Sequence, residues 1–120
     1  MLFVGGGAVL SDTAKYIREI IALTGMPSVA TLMGLGAVPA GTDGFTGMAG
    51  MHGAYASNMA IQECDLLLAV GTRFSDRVTG NTAAFAPKAR IVHFDIDPAE
   101  LNKNVRADIP VIGDLRQTLP

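Results

Sequence analysis

Arg73, Ser75, Asp76 and Arg77 crowd four polar side chains into five positions, directly after the apolar run Leu66-Leu67-Leu68-Ala69-Val70 and the turn residues Gly71 and Thr72. Two guanidinium groups this close suit a phosphate or a carboxylate, because each planar fork makes paired, charge-assisted hydrogen bonds. An internal ion pair with Asp76, in a solvated loop, is the competing reading. His52 stands in Gly50-Met51-His52-Gly53 before an expected helix. There the free N–H groups of a helix start favour an anion, and the two glycines let a ligand lie against the backbone. As a lone histidine it reads more readily as a cap or a packed loop residue. His93, on an otherwise apolar strand, is expected to be a core residue with a satisfied nitrogen, whereas Asp95 at that strand's end is placed for a ribose or adenine contact. Cys64, on an apparently packed helix face, reads as an inert thiol.

Gly5-Gly6-Gly7 follows a first apolar run and invites a dinucleotide reading, with backbone N–H groups approaching a pyrophosphate. That fingerprint is incomplete. Leu10 stands where a third glycine belongs, and Thr31 closes the second strand where an acid would hold a ribose. A standard nicotinamide site is thereby disfavoured, while another bound nucleotide remains compatible. Gly113-Asp114-Leu115 lacks the second glycine of a Gly-Asp-Gly metal motif, and no zinc-ligand spacing, catalytic carboxylate pair or Gly-x-Ser-x-Gly elbow occurs, so no metal site is expected.

Residues of this kind need a scaffold that gathers loops, and the alternation of apolar runs with helical periods supplies one. Strands are expected at Leu2 to Val4, Ser28 to Leu32, Leu66 to Val70, Arg90 to Asp95 and Ile109 to Ile112. Leu66 to Val70, apolar at every position, is the central one, hidden on both faces. One helix is expected after a cap at Ser11 or Asp12, with Ala14, Ile17, Ile20, Ile21 and Thr24 in helical period and Gly25 and Pro27 as stops. A second runs from about Gly53 to Cys64 on a close-packed face of Ala56, Ala60 and Cys64. Asp97-Pro98-Ala99-Glu100 is a helix-start signature, and Leu115 to Pro120 begins another helix. Gly34 to Gly50 is too broken by glycine for regular structure, and Val78 to Pro87 reads as loop. The fold class is α/β: a doubly wound, mostly parallel, Rossmann-like sheet of about six strands with helices on both faces.

Composition narrows the function classes. A chain of 120 residues with a net charge of −2 and no basic run points neither to nucleic acid nor to an anionic membrane. No apolar run reaches the roughly 18 residues that span a bilayer. Glycine, at 14 residues, is about twice its usual ~7% share. One cysteine excludes an internal disulfide and suits a reducing, cytoplasmic setting. The chain enters a strand at once and stops at a helix start, so 1–120 is expected to be a single domain excised from a longer chain.

Taken together, Thr31-Leu32-Met33-Gly34-Leu35-Gly36, Gly47-Met48-Ala49-Gly50-Met51-His52-Gly53, Gly71 through Gly80 and Asp95-Ile96-Asp97-Pro98-Ala99-Glu100 resemble the central domain of acetolactate synthase large subunits, over essentially the whole chain. The resemblance implies a parent that condenses two pyruvates, or pyruvate and 2-oxobutyrate, with loss of CO2, using thiamine diphosphate, Mg2+ and an FAD that performs no net redox step. It places FAD on Gly5, Gly6, Gly7, Thr31, Leu32, Met33, Gly34, Gly50, Met51, His52, Gly53, Gly71, Thr72, Arg73, Asp95, Ile96, Gly113 and Asp114. Met51, Asp76 and Arg77 match positions along the substrate channel. The implied partners are the flavin nucleotide, the other domains of the parent subunit, further copies in a homo-oligomer, and a regulatory subunit.

Two departures stand out: Ser75 replaces an aspartate usual in that family, and Ala49 a leucine. The thiamine-activating glutamate and the diphosphate motif belong to other domains, so the 120 residues by themselves are expected to be inactive. The alternative is a cofactor-free domain serving as spacer and subunit contact in a related thiamine enzyme.

Overall fold

The computed structural model describes residues 1–50, 53, 55–74, 85–99 and 105–120. Its centre is a six-stranded, wholly parallel sheet built from β1 (Leu2–Val4), β2 (Ser28–Ala30), β3 (Phe45–Met48), β4 (Leu66–Val70), β5 (Arg90–Asp95) and β6 (Ile109–Ile112). The spatial order is β3-β2-β1-β4-β5-β6. The chain therefore moves outward from β1 through β2 to β3, then returns to lay β4 on β1's other side, with Leu2 opposite both Ser28 and Leu68. The crevice between β1 and β4, where the strand order reverses, is the topological switch point of a doubly wound sheet.

Pleating sends alternate side chains to opposite faces, and each face has its own core. Phe3, Val29, Leu67, Ala69 and Ile91 point to one face, which Ile61 of α3 (Tyr55–Glu63) helps to cover. Leu2, Val4 and Val70 point to the other, under Ile17 and Ile21 of α2 (Ala14–Thr24) and Leu115 of α4 (Leu115–Thr118). Ile17 and Ile21 lie one turn apart on α2, so a single stripe buries against the sheet. Truncating Ile17 to alanine would cost about 2–5 kcal/mol. Gly25 closes that helix in the left-handed conformation, at φ 68°, as its position predicts. No helix among the described residues is long and apolar enough to cross a membrane.

Several details depart from the sequence reading. Gly34 to Gly50 is not wholly irregular: Phe45–Met48 pairs with β2 as edge strand β3. Gly47, at φ 101°, interrupts its pattern, and all four residues are only half-buried, so no apolar run marks it. The second strand stops at Ala30, because Thr31 caps a short 3-10 turn, Leu32–Gly34, its Oγ1 accepting from Gly34 N–H at 3.2 Å.

The glycine turn is itself helical, forming α1 (Gly6–Leu10), and the cap position of α2 falls on Thr13, not on Ser11 or Asp12. Ser11 and Thr13 donate their hydroxyls back to the Gly7 and Ala8 carbonyls, closing α1, while Asp12 makes the bend at φ 57°. On α3 the buried stripe is Ser57 and Ile61, flanked by Ala60 and Cys64, and Ala56 is exposed. Asp97 does accept from Ala99 N–H, at 2.9 Å, as a cap would. The remainder of the helix expected there, and most of the Val78 to Pro87 loop, lie outside the described residues.

Candidate functional site

In a parallel sheet every strand ends on the same edge, so the turns after the strands form one rim. Gly5 to Gly7 follow β1, Thr31 to Gly34 follow β2, Gly50 and Gly53 follow β3, Gly71 to Arg73 follow β4, Asp95 and Ile96 close β5, and Gly113 and Asp114 follow β6. Each described residue of the expected FAD set thus belongs to that rim. Met51, His52, Asp76 and Arg77 lie outside the described residues.

The middle of the rim is backbone packed on backbone. A Cβ on Gly5 would fall 2.3 Å from the Gly71 carbonyl oxygen, one on Gly7 2.8 Å from Gly71 Cα, and one on Gly34 2.2 Å from the Val4 oxygen. Gly71 sits at φ 65°, so it is glycine by conformation as well as by space. The N–H groups are spent inside the protein: Gly5 donates to Val70 at 2.8 Å and Gly7 to Gly71 at 2.9 Å. The sequence reading of these N–H groups as pyrophosphate donors is therefore corrected for Gly5 and Gly7, whose role is to seal the switch point.

Toward the β2 and β5 turns the rim changes character. Leu32, Met33 and Ile96 remain 68%, 70% and 65% exposed, large apolar side chains standing in solvent at strand ends. Asp95 is buried, with Oδ1 accepting from Asp97 N–H at 3.1 Å. Behind the β3 turn Asn58 grips Gly50 from both sides, Oδ1 accepting its N–H and Nδ2 donating to its carbonyl, each at 3.0 Å. Nothing in the sequence distinguishes Asn58, since its partner is eight positions away across a turn.

Thr72 is buried and Arg73 is exposed beside it. Phe74 turns inward at φ 51° and packs in an aromatic group with Phe3 at 5.7 Å, Phe85 at 5.5 Å and the ring of His93 at 4.8 Å. A bulky residue in the left-handed region is strained, and the packing around its ring holds it there. An apolar residue inside an otherwise polar stretch was the available signal for this anchor. His93 is fully buried as expected, but only half satisfied: Nε2 bonds the Thr72 carbonyl at 2.7 Å, whereas Nδ1 has no partner among the described residues.

At the outer end of the rim, Asp114 caps α4 through Arg116 N–H and also binds the Arg116 side chain. That side-chain bond, aided by the backbone one, lowers the Asp114 carboxyl from 3.8 to about 2. Burial pushes the Cys64 thiol upward, in keeping with an inert cysteine. Among the described residues no group of three or more His, Cys, Asp or Glu could hold a metal ion. A shallow groove of about 340 Å3, lined by Tyr16, Glu19, Ile20, Leu23, Leu119 and Pro120, involves none of the rim turns.

The model of the family described as the central domain of thiamine pyrophosphate enzymes matches residues 1–120. The chain is 53% identical over its full length to the isozyme 2 large subunit of acetolactate synthase from Escherichia coli, of which it covers 22%. It is 49% identical over 99% of its length to an acetolactate synthase from Mycobacterium avium, covering 19% of that protein. A probable acetolactate synthase large subunit from Methanocaldococcus jannaschii is 48% identical over the same share, with 20% covered. The chain thus spans about a fifth of the length of these relatives. With the match running from the first strand to the last turn, the chain belongs to the family of thiamine pyrophosphate enzyme central domains.

Proposed function

We propose that the chain is the FAD-binding central domain of an acetolactate synthase large subunit. The observation that carries this reading is the pairing, on one rim, of a sealed switch point with bare apolar side chains at Leu32, Met33 and Ile96. A flat, extended nucleotide cofactor suits such a rim, because its ring systems cover apolar surface while its polar linker runs past Arg73 and Asp95. The residues present fit the group on that account. Gly50, held by both ends of the Asn58 amide and by the Gly53 N–H, offers a stiff floor to the β3 turn.

When bound, FAD supplies no net redox step in this reading. This chain's residues bind and orient it, and Met51, Asp76 and Arg77 are proposed to face the substrate channel, with Arg77 toward a carboxylate. Carboligation of two pyruvates, or of pyruvate and 2-oxobutyrate, with loss of CO2 belongs to the parent protein, with thiamine diphosphate and Mg2+ held by its other domains. Those domains, further copies of the subunit and a regulatory subunit are the proposed partners, in the cytoplasm.

One observation favours the second reading, a cofactor-free spacer and contact domain. The Gly5 and Gly7 N–H groups are already bonded, so a pyrophosphate gains nothing from them. Absorbance of the purified parent decides between the two. A flavin spectrum, with saturable FAD binding on titration, is the expected result, and its absence at every concentration tried favours the spacer. The 120 residues alone are expected to form no acetolactate from pyruvate. Product above background would refute their inactivity.

A further inference from the structure

His93 is fully buried on β5, on the face it shares with Ile91 and Asp95. Its Nε2 lies 2.7 Å from the Thr72 carbonyl oxygen, and a carbonyl only accepts, so Nε2 carries the proton. Asp95 Oδ2, at 3.7 Å from the same nitrogen, is too distant to compete for it. The Phe74 ring meets the imidazole edge-on at 4.8 Å. Nδ1, without a partner among the described residues, is a cost that a leucine of similar bulk would not incur. What the imidazole supplies beyond that bulk is one donor, aimed at the turn after β4.

We propose that His93, donating from Nε2, is the positioning residue of the rim: it ties β5 to the turn Gly71–Phe74 and so holds Thr72 and Arg73 at the end of β5. The bond acts across two neighbouring strand ends. Gly71 N–H already reaches the Phe94 carbonyl at 3.0 Å, and the His93 bond fixes the next residue of the same turn. Phe74, strained at φ 51°, stays folded inward because His93 and the two phenylalanines flank it. The consequence for a ligand rests on the FAD reading above, whereas the fixing of the turn does not.

The test uses the full parent chain with His93→Gln, which keeps an N–H near the Nε2 position, and His93→Leu, which removes it. FAD dissociation constants should stay within about threefold for the glutamine variant and rise roughly tenfold for the leucine variant. Amide hydrogen exchange at Thr72, Arg73 and Phe74 should accelerate in the leucine variant, leave β1 unchanged, and be restored by glutamine. Nitrogen NMR of the wild type should find a proton on Nε2.

Equal behaviour of the two variants in exchange and affinity, or a proton resident on Nδ1 alone, overturns the proposal. If the leucine variant does not fold, weakened FAD binding or fast exchange at Thr72–Phe74 in the glutamine variant overturns it as well. A wild type that binds no FAD removes the cofactor reading. The exchange pattern then still decides whether His93 fixes the turn.

Discussion

The middle and the flanks of the rim solve opposite problems. Around β1 and β4 the turns touch through glycine, with no space for a methyl group between Gly5 and Gly71. At the ends of β2 and β5 the turns carry Leu32, Met33 and Ile96 into solvent. The contrast separates two meanings of a conspicuous residue. A glycine at the switch point marks where the protein meets itself, and a bare large apolar residue at a strand end marks where it has room to meet something else.

The strongest test of this contrast is at the centre. Gly5→Ala should destabilise the fold by about 4 kcal/mol or more, because the new Cβ would collide with backbone that cannot retreat. Gly25→Ala is its control: that site has φ 68° and open space, so only conformational strain of about 1 kcal/mol is expected. Denaturant midpoints of the two variants give the comparison directly, and near-equal losses would erase the distinction between space and conformation.

The flanks should respond in the opposite sense. Leu32→Ser and Met33→Ser should change stability by no more than about 0.5 kcal/mol, since neither side chain is buried. Together they should weaken FAD binding by roughly tenfold through lost apolar contact. Flavin fluorescence titration of the parent measures this. Unchanged affinity would assign those side chains to another domain's surface.

The smallest effect belongs to the outermost turn. The bond from Arg116 keeps the Asp114 carboxyl at about 2, below the ordinary 3.8. With the folded value depressed, the pair contributes above pH 3.8 and its contribution is lost as pH falls through about 2. A carbon NMR titration should place the midpoint near 2, and Arg116→Met should return it toward 3.8. Arg116 is exposed and Asp114 only half-buried at the surface, so the effect on stability is expected to be slight.

Much of the architecture was legible because burial writes itself into sequence. Leu66 to Val70 and Arg90 to Asp95 are strands to the residue, and the rim followed once the sheet was parallel. What escaped was set by tertiary contact. Phe45–Met48 became a strand by pairing with β2 despite Gly47. Gly6 and Gly7 entered a helix despite poor intrinsic preference. In the site, the strand ends located the candidate residues, yet the purpose of Gly5 and Gly7 depended on Gly71, far along the chain. The strain at Phe74 and the half-satisfied His93 were equally invisible, since both arise from partners brought together only by folding.

The detour of the chain through β2 and β3 before β4 joins β1 has a kinetic corollary. Leu2 pairs with Leu68 across the whole intervening stretch, so the β1–β4 seam demands the closure of a long loop. The pairings within each half of the sheet close shorter loops and are expected to form more readily than the crevice between them. A nascent polypeptide released before residue 70 would own three strand-end turns and no switch point.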